Sequence, residues 1–184
     1  MMRIAPRAFA LVVSIPLLSF ASAAPASAST VRELVDRAVT ELCPELLTYE
    51  GTLETEPKIV ADGYEFIRTV EHRRAGTLDQ VKRMVDDGEI YISNSRDTSF
   101  CQVAFSGEGS RAIFDELIVE PSRIAEDLFP DTAEIPFKEG WEGFLSVAFR
   151  TQAFEGQYLG VQFVDLGPID PSAPLIIQQY GLEE

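Results

Sequence analysis

The chain has 184 residues, 46% of them hydrophobic and 24% charged, with 30 acids against 15 basic residues and a formal net charge of −15. That apolar share suits a packed core and the length suits one domain, which excludes a disordered chain or a fibrous repeat. The acid excess argues against nucleic acid, whose phosphates need clustered Lys and Arg. Two cysteines and one histidine exclude a Cys/His zinc cage built from this chain alone.

The N-terminus carries Arg3 and Arg7, then an apolar stretch from Ala8 to Phe20, then Ala21-Ser22-Ala23-Ala24-Pro25-Ala26-Ser27-Ala28. A basic start, a short apolar region and small-x-small residues are the plan of a secretory signal peptide. Pro16 interrupts the apolar run, which is shorter than the roughly 20 residues of a spanning helix. Cleavage is expected after Ala23 or Ala28. Residues 29–184 then form a single globular α+β domain, periplasmic or secreted, with no stable membrane anchor. Removing residues 1–28 takes away two arginines and no acid, so the net charge goes from −15 to −17.

From Val31 to Leu47 the apolar residues recur at helical spacing, and Thr30 with Glu33 forms a capping box. Pro44 is expected to kink or end this helix, since it has no N–H and clashes with the preceding turn. Residues 49–63 are acidic and proline-interrupted, and read as loop with at most a short strand. Tyr64 to Val70 fits strand or helix equally. A second capping box, Thr77 with Gln80, predicts a short helix through Val81, Met84 and Val85, stopped by Asp86-Asp87-Gly88.

Glu89–Ser93 and Ser99–Phe105 are β-rich runs joined by Asn94-Ser95-Arg96-Asp97, which predicts a hairpin. Ser110 is read as the cap of a helix that turns Ile113, Phe114, Leu117 and Ile118 inward. Pro121 to Phe129 reads as a turn or short helix. In the last third, Leu145, Val147 and Phe149 share one face of a strand, and Leu159, Val161 and Phe163 share one face of another. Glu155-Gly156-Gln157 turns between them, and Leu175-Ile176-Ile177 starts a third strand. The fold expected is α+β, an antiparallel sheet of about five strands with helices on one face. A hairpin, a helical insertion and a three-stranded meander is also the element order of PAS-like and Cache-like sensor domains, a likeness of order alone.

An even cysteine count in an exported protein reads as a disulfide. Cys43 lies on the apolar face of the first helix and Cys101 shares a strand face with Val103 and Phe105, so both point into one core. His72, within Glu71-His72-Arg73-Arg74, reads as a solvated loop histidine, because no nucleophile or orienting group is placed beside it. Ser106-Gly107-Glu108-Gly109-Ser110 is neither the G-x-S-x-G of a hydrolase nor a phosphate-binding loop, and reads as an ordinary strand-to-helix turn. No calcium-loop spacing occurs among the acids, and no cofactor motif is present.

Arg68, Arg73, Arg74, Lys82 and Arg83 form the one basic island, five cations against Glu71 and Asp79 for a net of +3. It is a candidate docking patch for an acidic partner or a carboxylate ligand. The sequence therefore points to a non-enzymatic binding or protein-interaction domain whose partner is an unidentified protein or small ligand. A sensor-like small-molecule module and a carboxylate-dependent hydrolase are the alternatives.

Overall fold

A computed structural model gives the fold. It describes residues 29–73, 75–119, 124, 135–141, 144–154, 157–167 and 169–183, of which 135–141, 144–154, 157–158 and 182–183 are described as backbone alone. The expected signal peptide, the Pro121–Phe129 turn apart from Ile124, and the first two residues of the Glu155-Gly156-Gln157 turn lie outside the described residues. No helix among the described residues is long and apolar enough to cross a membrane.

Helix α1 (Val31–Arg37) starts at the predicted capping box. Thr30 Oγ1 accepts the Glu33 N–H at 3.2 Å, and the Glu33 carboxylate accepts the Thr30 N–H at 3.0 Å. The Asp87 carboxylate accepts the next free N–H, that of Val31, at 3.0 Å, placing an anion at the positive end of the helix.

Pro44 does not end the helix. The chain passes through a π turn (Ala38–Leu42) into α2 (Cys43–Leu46), with Pro44 in its first turn. In the wider register the Cys43 N–H reaches the Ala38 carbonyl, which leaves the Val39 carbonyl facing position 44, where proline has no N–H to offer. Gln179 supplies the missing donor: its side-chain Nε2 donates to the Val39 carbonyl at 2.6 Å. A sequence conflict is thus resolved by a residue 140 positions away.

The loop expected over 49–63 contains a helix, α3 (Pro57–Ala61). Glu56 accepts the Ile59 N–H at 2.7 Å and Pro57 occupies the first turn, where its missing N–H costs nothing.

The strands are β1 (Glu65–His72), β2 (Gly76–Val85), β3 (Gly88–Ser95), β4 (Phe100–Gly107), β5 (Ile135–Trp141), β6 (Phe144–Phe154), β7 (Gln157–Asp165) and β8 (Leu175–Glu183). They form one antiparallel sheet in the order β1-β2-β3-β4-β8-β7-β6-β5. The α+β class and the antiparallel sheet are as expected, but the sheet is wider than about five strands. β1–β4, β7 and β8 are the six strands that carry described side chains.

Residues 77–85 are the clearest correction, for they lie in strand β2 and not in a helix. A helix would turn Val81, Met84 and Val85 to one side. The strand instead buries Val81 completely and leaves Met84 64% exposed. A capping box satisfies two N–H groups, whereas β2 pairs with β1 on one edge and β3 on the other along most of its length. Asp86 and Asp87 are the two-residue loop of the β2–β3 hairpin, Val85 pairing with Gly88.

The predicted β3–β4 hairpin is present, Asn94 opposite Cys101. Helix α4 (Ser110–Val119) buries Ile113, Phe114 and Leu117 as spaced. Its cap differs: Ser110 is already inside the helix, and its Oγ is buried with no hydrogen-bond partner among the described residues. Gly109 precedes it at φ 76°, a conformation that suits glycine.

Helices α1, α2 and α4 cover one face of the sheet. Under them run Val81, Ile92, Val103, Ile177 and Phe163, consecutive partners across β2, β3, β4, β8 and β7, all buried. Phe114 packs edge-on to Phe163 at 5.7 Å and tilted to Phe105 at 6.5 Å. Cys43 and Cys101 are at disulfide distance, Cα–Cα 5.4 Å and both buried, so the bridge ties α2 to β4 as expected.

Candidate binding site on the open face of the sheet

Side chains alternate along a strand, so residues one position from the core set point to the other face. On that face Arg68, Gln80, Ser93, Gln102, Gln178 and Gln162 stand opposite one another across β1, β2, β3, β4, β8 and β7. Two hydrogen-bonded stretches run along this row. Arg68 Nε donates to Gln80 Oε1 at 2.7 Å, Gln80 Nε2 donates to Ser93 Oγ at 3.1 Å, and Gln178 Nε2 donates to Gln102 Oε1 at 2.9 Å. Ser93 is buried, while the four glutamines are half-buried.

Two rows flank it. Towards the β3–β4 tip lie Val70 and Leu78, a cross-strand pair, and Phe100 and Tyr180, another. Gly160 pairs with Tyr180, and a Cβ on Gly160 would come within 2.2 Å of the Tyr180 ring. The absence of a side chain at position 160 therefore lets the ring lie down across the sheet. On the other side, Lys82 pairs with Glu89 at 2.6 Å and sits over the Tyr91 ring at 4.9 Å. Hydrogen bonding to Lys82 holds the Glu89 carboxyl below the usual range, and Glu89 and Tyr91 together raise the Lys82 ammonium.

The glutamine row and the Phe100–Tyr180 row line a groove of about 930 Å³, within the span of small-molecule sites. Arg73, Thr98, Ser99 and Gly181 form its rim. Among the described residues no aspartate or glutamate lines it, although the chain has 30 of them.

The rim is braced by a network at the hairpin tip. Ser95 Oγ donates to the Ala75 carbonyl and accepts the Thr98 N–H at 2.9 Å, while Asp97 accepts the Thr77 N–H at 2.6 Å. Beneath it, Asp79 is 1% exposed on the core face. Burial alone would push its carboxyl up. Arg96, the Thr69 and Thr52 hydroxyls and the Leu53 N–H outweigh this and hold it below the ordinary range.

The basic island does not form one patch. Arg68 and Lys82 are on the open face and Arg73 is at the groove rim, but Arg83 is opposite Ile90 on the helix-covered face, where it donates to Ser29 Oγ at 3.2 Å. Arg74 lies outside the described residues. His72 is not a loop residue. It ends β1, at the groove rim, and its Nδ1 accepts the Ala75 N–H at 3.1 Å. The Gly107–Ser110 turn is structural: the Glu108 N–H is bonded to the Asp87 carbonyl, and Arg111 is held by Asp165 at 2.8 Å. Among the described residues no three Asp, Glu, His or Cys side chains gather where they could hold a metal ion.

Compared with family models, curated proteins and solved structures, the chain matches none. The glutamine row was not singled out from the sequence. Its one local signal is a polar residue beside each core residue, as in Gln80-Val81, Ile92-Ser93, Gln102-Val103, Gln162-Phe163 and Ile177-Gln178.

Proposed function

We propose that the protein is a non-enzymatic binding module, exported to the periplasm or beyond, that holds a polar ligand in the open-face groove. The convergence of Gln80, Ser93, Gln102, Gln178 and Gln162 on one groove carries the reading. A few convergent polar groups with apolar neighbours, on a rigid scaffold, suit ligand binding. A protein-docking surface is expected to have an apolar centre, whereas amides occupy the centre of this face. Among the described residues the groove lining carries amide and hydroxyl groups rather than a carboxylate pair, which supports binding over acid-catalysed hydrolysis. Export is supported by the N-terminal pattern and by the buried Cys43–Cys101 pair.

The test is a thermal-shift panel of sugars, oligosaccharides, amino acids and peptides on the full exported protein. At least one class is expected to raise the melting temperature, and the double variant Gln102→Ala/Gln178→Ala is expected to lose that rise. If every stabilising ligand acts equally on the variant, or none acts at all, the groove is not the site. N-terminal sequencing of the exported protein should begin at Ala24 or Ser29; an intact Met1 would remove the export reading.

A further inference from the structure

We infer that the groove takes an anionic glycan, a chain of sugar rings carrying carboxylates. The inference rests on the binding reading above and adds the ligand's class. A carboxamide presents donors and an acceptor together, and a sugar hydroxyl does the same, so a row of amides matches a row of hydroxyls. Gln80, Gln102, Gln178 and Gln162 stand on strands of one sheet, whose spacing is about 4.8 Å. The repeat of an extended pyranose chain is close to that spacing, so a chain lying along the row meets one polar group per ring. The row from β2 to β7 has room for about four or five rings at that spacing.

The second observation is the parallel row beside it. Phe100 and Tyr180 are a cross-strand pair at the groove, and Tyr180 is laid over Gly160. An aromatic face fixed in this attitude is ready to receive the C–H side of a sugar ring at little ordering cost. The third is charge. The open face carries Arg68 and the rim residue Arg73, while Lys82 is paired to Glu89 and stands opposite Glu65, on a chain of net charge −15. Among the described residues Arg68 spends its Nε on Gln80, and the fork end of a guanidinium is the part that suits a carboxylate. An extended peptide would instead seek a strand edge for main-chain pairing. Here the sheet ends at β1, whose register with β2 shifts between Phe66 and Arg68, and at β5, whereas the glutamine row runs across the face from β2 to β7.

The experiment is calorimetric titration of the full exported protein at low salt with three probes: a mannuronate oligomer of about five rings, its methyl ester, and a poly-glutamate peptide of equal charge. The acid oligomer is expected to bind about tenfold or more tightly than the ester and the peptide. Gln102→Ala/Gln178→Ala should weaken the oligomer by about tenfold or more, and Arg73→Gln, on an exposed turn where folding is not at risk, should narrow the gap between acid and ester. Equal binding of acid and ester overturns the anionic assignment. Poly-glutamate binding that equals the oligomer and is lost in the glutamine variant overturns the glycan while leaving the groove as the site. Failure of all three probes overturns the glycan as well. The groove itself falls only if no ligand of the thermal-shift panel depends on Gln102 and Gln178.

Discussion

The two faces of the sheet are made from the same strands, one residue out of step. On the helix-covered face the row Val81–Ile92–Val103–Ile177–Phe163 is sealed from water, and on the open face the row Gln80–Ser93–Gln102–Gln178–Gln162 runs beside it. The first row is held by apolar burial, at about 25 cal/mol per Å² removed from water. The second is held by hydrogen bonds between groups that water could also satisfy, so each is worth little net. The covered face therefore sets the stability of the molecule, and the open face is free to differ in chemistry without unfolding it. Binding surfaces can be built on the side of a sheet where the fold has least at stake.

The largest effects are expected where the covered face is damaged. Phe114 touches both Phe105 and Phe163 and is fully buried. Phe114→Ala should cost about 3–5 kcal/mol in denaturant unfolding. Replacing Cys43 and Cys101 together by alanine removes a link across 58 residues and should cost about 2–5 kcal/mol. If either change leaves the unfolding midpoint in place, the covered face does not carry the stability assigned to it.

A smaller effect tests the boundary between the faces, where Asp79 sits on the covered side and Arg96 reaches it from the loop. Asp79→Asn keeps the shape and removes the charge, and should cost about 1–3 kcal/mol at neutral pH. The sign of its pH dependence follows from its lowered folded pKa. Its contribution is fully present above the ordinary carboxylate value of about 4 and is lost as pH falls through the lower folded value. The variant should therefore lose less stability than the parent between neutral and acid conditions. Equal loss in both proteins would mean that Asp79 gains nothing from its ionised form on folding.

The same division explains what could be read from the chain. Local spacing carries the capping box at Thr30, the inward face of α4 and the stripe Leu159–Val161–Phe163, all of which are in place. Cys43 and Cys101 could be paired because each lies on a recognisable apolar face. Strand β5 contains Pro136 and Gly140, which locally argue against a strand; it stands at the sheet edge, where proline is tolerated. Helix α3 is five residues long and has no periodicity to show. Thr77 and Gln80 mimic a capping box locally, and only the partners on both sides of β2 overrule it. The glutamine row exists only through register between strands, with partners as far apart in the chain as Gln102 and Gln178, 76 residues, and no single segment of sequence spells it out.

The smallest expected change in stability is the most informative one. Gln102 and Gln178 are half-buried, bonded to each other at 2.9 Å, and flanked by core residues that point the other way. Removing both side chains takes away one neutral hydrogen bond between half-buried partners, so the unfolding free energy should shift by no more than about 1 kcal/mol. Ligand binding in the groove should fall by far more, because both amides line it. A variant that stays folded and no longer binds separates the two faces, with stability on one and recognition on the other. A loss as large as that of Phe114→Ala would show instead that the glutamine row is part of the scaffold, and the contrast between the faces would have to be abandoned.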